Sequence, residues 1–119
     1  MQPAVLIVDD DADIREALEE VLSESGYAVA IAADGADALD EMKAHAPALV
    51  LLDLMMPNVD GWRVMDEMHR DPSLCGIPVC VLSAFAELAP AAADTVLAKP
   101  IKVLPLLETV ERFCGRPTS

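Results

Sequence analysis

The sequence predicts an α/β fold of the (βα)5 type, a doubly wound sheet of five parallel strands with helices on both faces. Three observations carry this. Apolar runs of four or five residues alternate with longer stretches of helical period. Most of the runs lack the apolar/polar alternation of a sheet with one wet face, so they read as strands covered on both sides. The chain has 119 residues, enough for a single domain of the commonest size, so residues 1–119 are expected to form one unit with no further domain. Strands alternating with helices imply right-handed crossovers and hence a parallel sheet.

The first run, residues 4–8, stops at Asp9, Asp10 and Asp11. Ile14, Ala17, Leu18, Val21 and Leu22 then form an i, i+3, i+4, i+7, i+8 stripe, the signature of an amphipathic helix. Asp13 and Glu16 are placed for a capping box, which leaves Asp11 solvated, and Gly26 is placed for the stop. After the second run, residues 28–32, Asp34 and Gly35 open a helix carrying Ala38, Leu39 and Met42. The third run, residues 49–52, ends at Asp53, and Asp60 is the expected cap for a helix bearing Val64, Met65 and Met68. The fourth, residues 78–82, ends at Ser83. Pro90 then interrupts residues 84–94, so any helix there should be short or irregular. The fifth, residues 95–98, ends at Lys99, and Leu106, Leu107, Val110 and Cys114 supply the last apolar stripe.

Composition narrows the functional classes. Eight Lys and Arg against 21 Asp and Glu give a net charge of −13, a field that repels nucleic-acid phosphates and anionic membrane surfaces. Direct nucleic-acid binding and membrane association are therefore not expected. No apolar run approaches the ~20 residues needed to span a bilayer, and the first run has no basic segment before it. Cys75, Cys80 and Cys114 are odd in number and form no CxxC pair, which points to a reducing, cytoplasmic compartment rather than a disulfide framework. His45 and His69 fall near helix ends with no second ligand at metal spacing, and Trp62 reads as packing.

In open α/β sheets, ligands bind beyond the carboxyl ends of the strands. Here four of five strands deliver a charged or reactive group to that edge: Asp9 and Asp10, Asp53, Ser83, and Lys99. Each alone has an ordinary structural explanation, and their coincidence on one rim is what indicates a site. Gathered carboxylates repel one another, and a hard divalent cation such as Mg²⁺ relieves this while bridging to phosphate oxygens. A lysine and a hydroxyl opposite them suit a transferring phosphoryl group, with an aspartate as the nucleophile.

Those residues resemble the receiver domain of two-component response regulators. The resemblance spans nearly the whole chain and rests on Asp9-Asp10, on Leu51-Leu52-Asp53-Leu54-Met55-Met56-Pro57 followed by Asp60-Gly61, on Ser83-Ala84, and on Lys99-Pro100. It implies a flavodoxin-like sheet of strand order 2-1-3-4-5 and a function in signal transduction. Asp53 would accept a phosphoryl group from a phosphohistidine on a sensor histidine kinase or histidine phosphotransfer protein. Asp10, Asp53 and the Met55 carbonyl would ligate Mg²⁺, with Asp9 acting through water. Ser83 and Lys99 would bind phosphoryl oxygens, and the Lys99–Pro100 peptide would be cis. Such a chain is not an enzyme in the usual sense, since it catalyses only its own phosphorylation and dephosphorylation and then signals to a downstream protein. The sequence departs from the family at Val96, where an aromatic residue is common, and in the short stretch between Ser83 and Lys99.

Three other readings compete. A haloacid-dehalogenase-like phosphatase would use Asp9 and Asp11, but leaves Asp53 unexplained and lacks a later acidic pair. A calcium loop from Asp9 to Glu20 fails because Ile14 stands where a sharp turn needs glycine. A pseudo-receiver, a binding module that is never phosphorylated, would typically have lost acidic, Ser or Lys positions that are present here.

Overall fold

A computed structural model of the chain describes residues 4–117. In it the five apolar runs become β1 (Val5–Val8), β2 (Val29–Ala32), β3 (Leu49–Asp53), β4 (Val79–Ser83) and β5 (Thr95–Ala98), all parallel, in the order β2-β1-β3-β4-β5. Between and after them lie α1 (Ala12–Glu24), α2 (Gly35–Ala44), α3 (Gly61–Arg70) and α4 (Val103–Cys114). The expected class and strand order are both present.

Burial follows strand position. Every residue of β1, β3 and β4 is buried, because each has a neighbour on either side and helices above and below. The edge strands β2 and β5 are only partly covered, so the expectation of two-sided burial holds for the three central strands alone. Side-chain alternation divides the core into two. Leu6, Val8, Val50, Leu52, Val79 and Val81 face α2 and α3, while Val5, Ile7, Leu49, Leu51, Cys80 and Leu82 face α1 and α4. Burial pushes the Cys80 thiol up to about 12, so it packs as a small hydrophobe rather than as a nucleophile.

Helix starts carry one correction. Asp34 and Asp60 cap α2 and α3 through the N–H groups of Asp37 and Arg63, each at 2.9 Å, as expected. At α1, however, the cap is Asp11 and not Asp13. Asp11 has an extended backbone (φ −82°, ψ 112°) just before the helix, and its Oδ1 accepts the N–H of Asp13 at 2.9 Å and of Ile14 at 3.4 Å. Asp13 falls in the first turn, where its charge still suits the helix dipole. At the other end of α1, Gly26 adopts φ +97° as the expected stop. The neighbouring Tyr27 hydroxyl donates to the Gly115 carbonyl at 2.9 Å, tying this turn to the end of α4.

The fourth crossover is the irregular one. Between β4 and β5 the chain makes a single 3-10 turn, Ala86–Leu88, in place of an α-helix, so four of the five helices of an ideal (βα)5 unit are present. Pro90 and the shortness of the segment account for this.

Candidate functional site

Parallel strands place all their carboxyl ends at one edge, so residues remote in sequence meet there. Asp9 immediately follows β1, Asp53 and Ser83 end β3 and β4, and Lys99 follows β5. The Lys99 Nζ lies 3.0 Å from Asp9 Oδ2 and 3.5 Å from Asp53 Oδ1, across 90 residues of sequence in the first case. Asp9 is fully buried, Asp53 and Ser83 are 4% and 3% exposed, and Asp10 is exposed. Carboxylate oxygens of Asp9, Asp10 and Asp53 all lie within 4.8 Å of one another.

Each buried polar group is held by local backbone. The Asp9 Oδ1 accepts the Asp11 N–H at 2.9 Å, and Asp53 Oδ1 accepts the Met55 N–H at 3.2 Å. The Ser83 Oγ accepts the Phe85 N–H at 2.9 Å and can still donate its own proton. Among the described residues, no buried side-chain nitrogen or oxygen lacks a hydrogen-bond partner. The loop after β3 turns through Asn58, at φ 64° in the left-handed region, before Asp60 starts α3.

Two supporting residues have roles that the sequence did not assign. Arg15 donates from Nη1 to the Asp9 carbonyl at 2.8 Å, fixing the acidic loop to α1. A signal for it existed, since Arg15 is the one basic residue in the acidic stretch 12–24. Gly61 is the other. A Cβ there would stand 2.5 Å from the Asp53 carbonyl oxygen and 2.7 Å from the Leu54 Cα, so only glycine lets α3 begin so close to the end of β3.

The electrostatics are unbalanced. Three carboxylates face one ammonium group, and burial together with the Asp9 charge pushes the Asp53 carboxyl from 3.8 up to about 6, with Lys99 and the Met55 N–H pulling the other way. Lys99 is itself shifted: burial lowers its pKa, but the hydrogen bond and charge of Asp9 and the charge of Asp53 outweigh this and raise it. A group of oxygen ligands with a surplus of negative charge fits a hard divalent cation, Mg²⁺ among them. Lys99→Ala should therefore push the Asp53 carboxyl higher still, which carbon-detected NMR titration of the metal-free protein would read; an unchanged or lower value would remove Lys99 from the account.

The remaining candidates stay apart from this edge. His45 caps α2 in exposed contact with Glu41 at 3.4 Å, and the His69 Nδ1 lies 2.9 Å from the Met65 carbonyl within α3. Cys75, Cys80 and Cys114 are free thiols. Among the described residues, no helix is long and apolar enough to cross a membrane.

A family model described as the response regulator receiver domain matches residues 5–111. The transcriptional regulatory protein PrrA of Mycobacterium tuberculosis is 38% identical, with 96% of this chain aligned to 51% of its length. The response regulator MprA of Mycolicibacterium vanbaalenii is 36% identical, over 99% of this chain and 53% of its own. A further relative, a probable transcriptional regulator ycf27 of Guillardia theta, is 44% identical over 71% of this chain and 32% of its length. The chain thus spans between about a third and about half of these curated relatives. Among solved structures, the receiver domain of NtrX from Brucella abortus superposes with a TM-score of 0.84 at 31% identity, covering 92% of this chain and 97% of that one. The chemotaxis protein CheY4 of Vibrio cholerae gives 0.83 at 28% identity, covering 95% and 99%.

Proposed function

Because the chain belongs to the response regulator receiver-domain family of two-component systems, we propose that it is a phosphorylation switch in which Asp53 accepts a phosphoryl group from a phosphohistidine on a sensor histidine kinase or histidine phosphotransfer protein. The observation that carries this reading is the convergence of Asp9, Asp10 and Asp53 with Lys99 at the carboxyl edge of the sheet. A carboxylate oxygen of Asp53 attacks phosphorus, the phosphorus–nitrogen bond breaks, and its electron pair returns to the imidazole ring. The product is an aspartyl phosphate on this chain and a free histidine on the donor.

Asp10, Asp53 and the Met55 carbonyl would hold Mg²⁺, with Asp9 acting through water. When bound, the ion supplies positive charge for the phosphoryl oxygens. Lys99 already sits between Asp9 and Asp53 and would pair with one phosphoryl oxygen, and the Ser83 hydroxyl would donate to another. The Lys99–Pro100 peptide is cis. Asp9 is a poor candidate for the nucleophile of a phosphatase: it is fully buried, with Oδ1 on the Asp11 N–H and Oδ2 on Lys99. Two relatives carry names of transcriptional regulators. With a net charge of −13, this chain would act through a protein target and not by touching DNA itself.

Metal affinity should fall in acid. The ligands must be ionised to bind, so as pH drops through about 6 the Asp53 proton competes with the ion. Calorimetric titration with Mg²⁺ is expected to show binding at pH 7.5 weakened roughly tenfold at pH 5, the size set by about one decade of proton competition. Equal affinity at the two pH values would argue against Asp53 as a ligand.

A further inference from the structure

The acidic pair stands on a loop that leaves the sheet at once. β1 ends at Val8, and the chain makes its last bond to the neighbouring strand where the Asp9 N–H donates to the Ala32 carbonyl at 3.3 Å. The Asp9 carbonyl has no such partner: among the described residues no backbone N–H reaches it, although Asp9 is fully buried. A buried carbonyl left unpaired is costly, and the Arg15 Nη1 supplies the missing donor at 2.8 Å. Arg15 lies in the first turn of α1, where its backbone N–H donates to the Asp11 carbonyl at 3.0 Å. One residue thus grips the acidic loop at both ends, with the exposed Asp10 between the two points. Asp11, Asp13, Glu16 and Glu19 lie within four positions of it, yet among the described residues Arg15 forms no ion pair.

We infer that Arg15 is a positioning residue for the divalent cation: by holding the Asp9 carbonyl it sets where the Asp10 carboxylate stands relative to Asp53. This rests on the reading of Asp10 and Asp53 as ligands, and it concerns metal affinity rather than the phosphoryl step. The effect has a definite sign. A guanidinium close to a cation site repels the ion, so a residue acting by its charge alone tightens binding when it is removed. A residue that orients the ligands weakens binding when it is removed, and partners of this kind are typically worth about 10–100-fold in metal affinity. The two roles therefore move the same measurement in opposite directions.

The test is calorimetric titration of the intact chain with Mg²⁺ for the wild type, Arg15→Met, Arg15→Lys and Val110→Ala. Methionine occupies similar space without a donor, and Arg15→Met is expected to bind about tenfold more weakly in spite of the lost positive charge. Lysine keeps a donor, and one N–H is all that the bond to Asp9 uses, so Arg15→Lys should stay within about threefold of the wild type. Val110→Ala controls for stability alone: it opens a cavity under the buried face of α4 and lowers the melting temperature, and its Mg²⁺ affinity should not change. Three results would each overturn the inference while leaving Asp10 and Asp53 as ligands: Arg15→Met binding as tightly as the wild type or more so, Arg15→Lys no better than Arg15→Met, or an equal loss in Val110→Ala. A wild type that binds no Mg²⁺ would overturn the ligand reading itself, and the inference with it.

Discussion

Metal-free Asp53→Asn protein is expected to melt about 12 °C above the wild type at pH 8, a gain that shrinks as pH falls. The cause is the surplus of negative charge at the carboxyl edge. Folding moves the Asp53 carboxyl from 3.8 to about 6, chiefly by burial and by the Asp9 charge, so the folded state holds a proton that the unfolded state has already released. Raising the pH through this window therefore favours unfolding. Once both states are ionised the penalty is about 3 kcal/mol, from 1.36 kcal/mol per decade. At pH 5 about half of it should remain and at pH 4 little, because the unfolded carboxyl then takes up its proton as well. Asparagine keeps an oxygen to accept the Met55 N–H while removing the charge. Thermal melts of both proteins in a chelator from pH 4 to 8 check this, and a variant less stable than wild type at pH 8 would contradict it. Adding Mg²⁺ should then raise the wild type and leave the variant nearly unmoved.

The second large effect is at Gly61. Alanine is ordinarily the better helix residue by about 1 kcal/mol, yet Gly61→Ala should destabilise the protein by about 2–4 kcal/mol. The new methyl would stand 2.5 Å and 2.7 Å from the Asp53 carbonyl oxygen and the Leu54 Cα, backbone atoms that cannot rotate aside. Either α3 lifts from the sheet or the end of β3 moves, and both displace Asp53. Mg²⁺ affinity should fall along with the melting temperature. Gly76→Ala is the control: nothing lies within 4 Å of a Cβ there, and its melting temperature should change little. Similar behaviour of the two variants would remove Gly61 from the site's framework.

Much of this architecture is written in local patterns. Uninterrupted apolar runs mark β1, β3 and β4 because strands buried on both faces are lined by apolar side chains, and the first polar residue of each run falls at the carboxyl edge of the sheet. The edge positions of Asp9, Asp53 and Ser83 were legible for that reason, and that of Lys99 from the end of the fifth, partly covered run. What was not legible depends on the backbone path. The choice of Asp11 over Asp13 as the cap rests on where the helix begins, which leaves Asp11 extended and puts Asp13 in the first turn, and several nearby aspartates satisfy the sequence pattern equally. Contacts such as the approach of Gly61 to Asp53 and the bond from Arg15 to the Asp9 carbonyl are tertiary, and residue type alone does not show them. Pro90 signalled that the fourth crossover is irregular, but the groove between it and α3 appears only once α3 is in place.

The most direct test of Asp53 as the phospho-acceptor is the intact mass of the chain after incubation with a small-molecule phosphodonor, with and without Mg²⁺, for the wild type and Asp53→Asn. A single phosphoryl adduct that requires Mg²⁺, is released by hydroxylamine and is missing from the variant is the predicted result. No adduct on the wild type, or an equal adduct on the variant, would contradict it, the former making the chain a receiver that signals through binding alone.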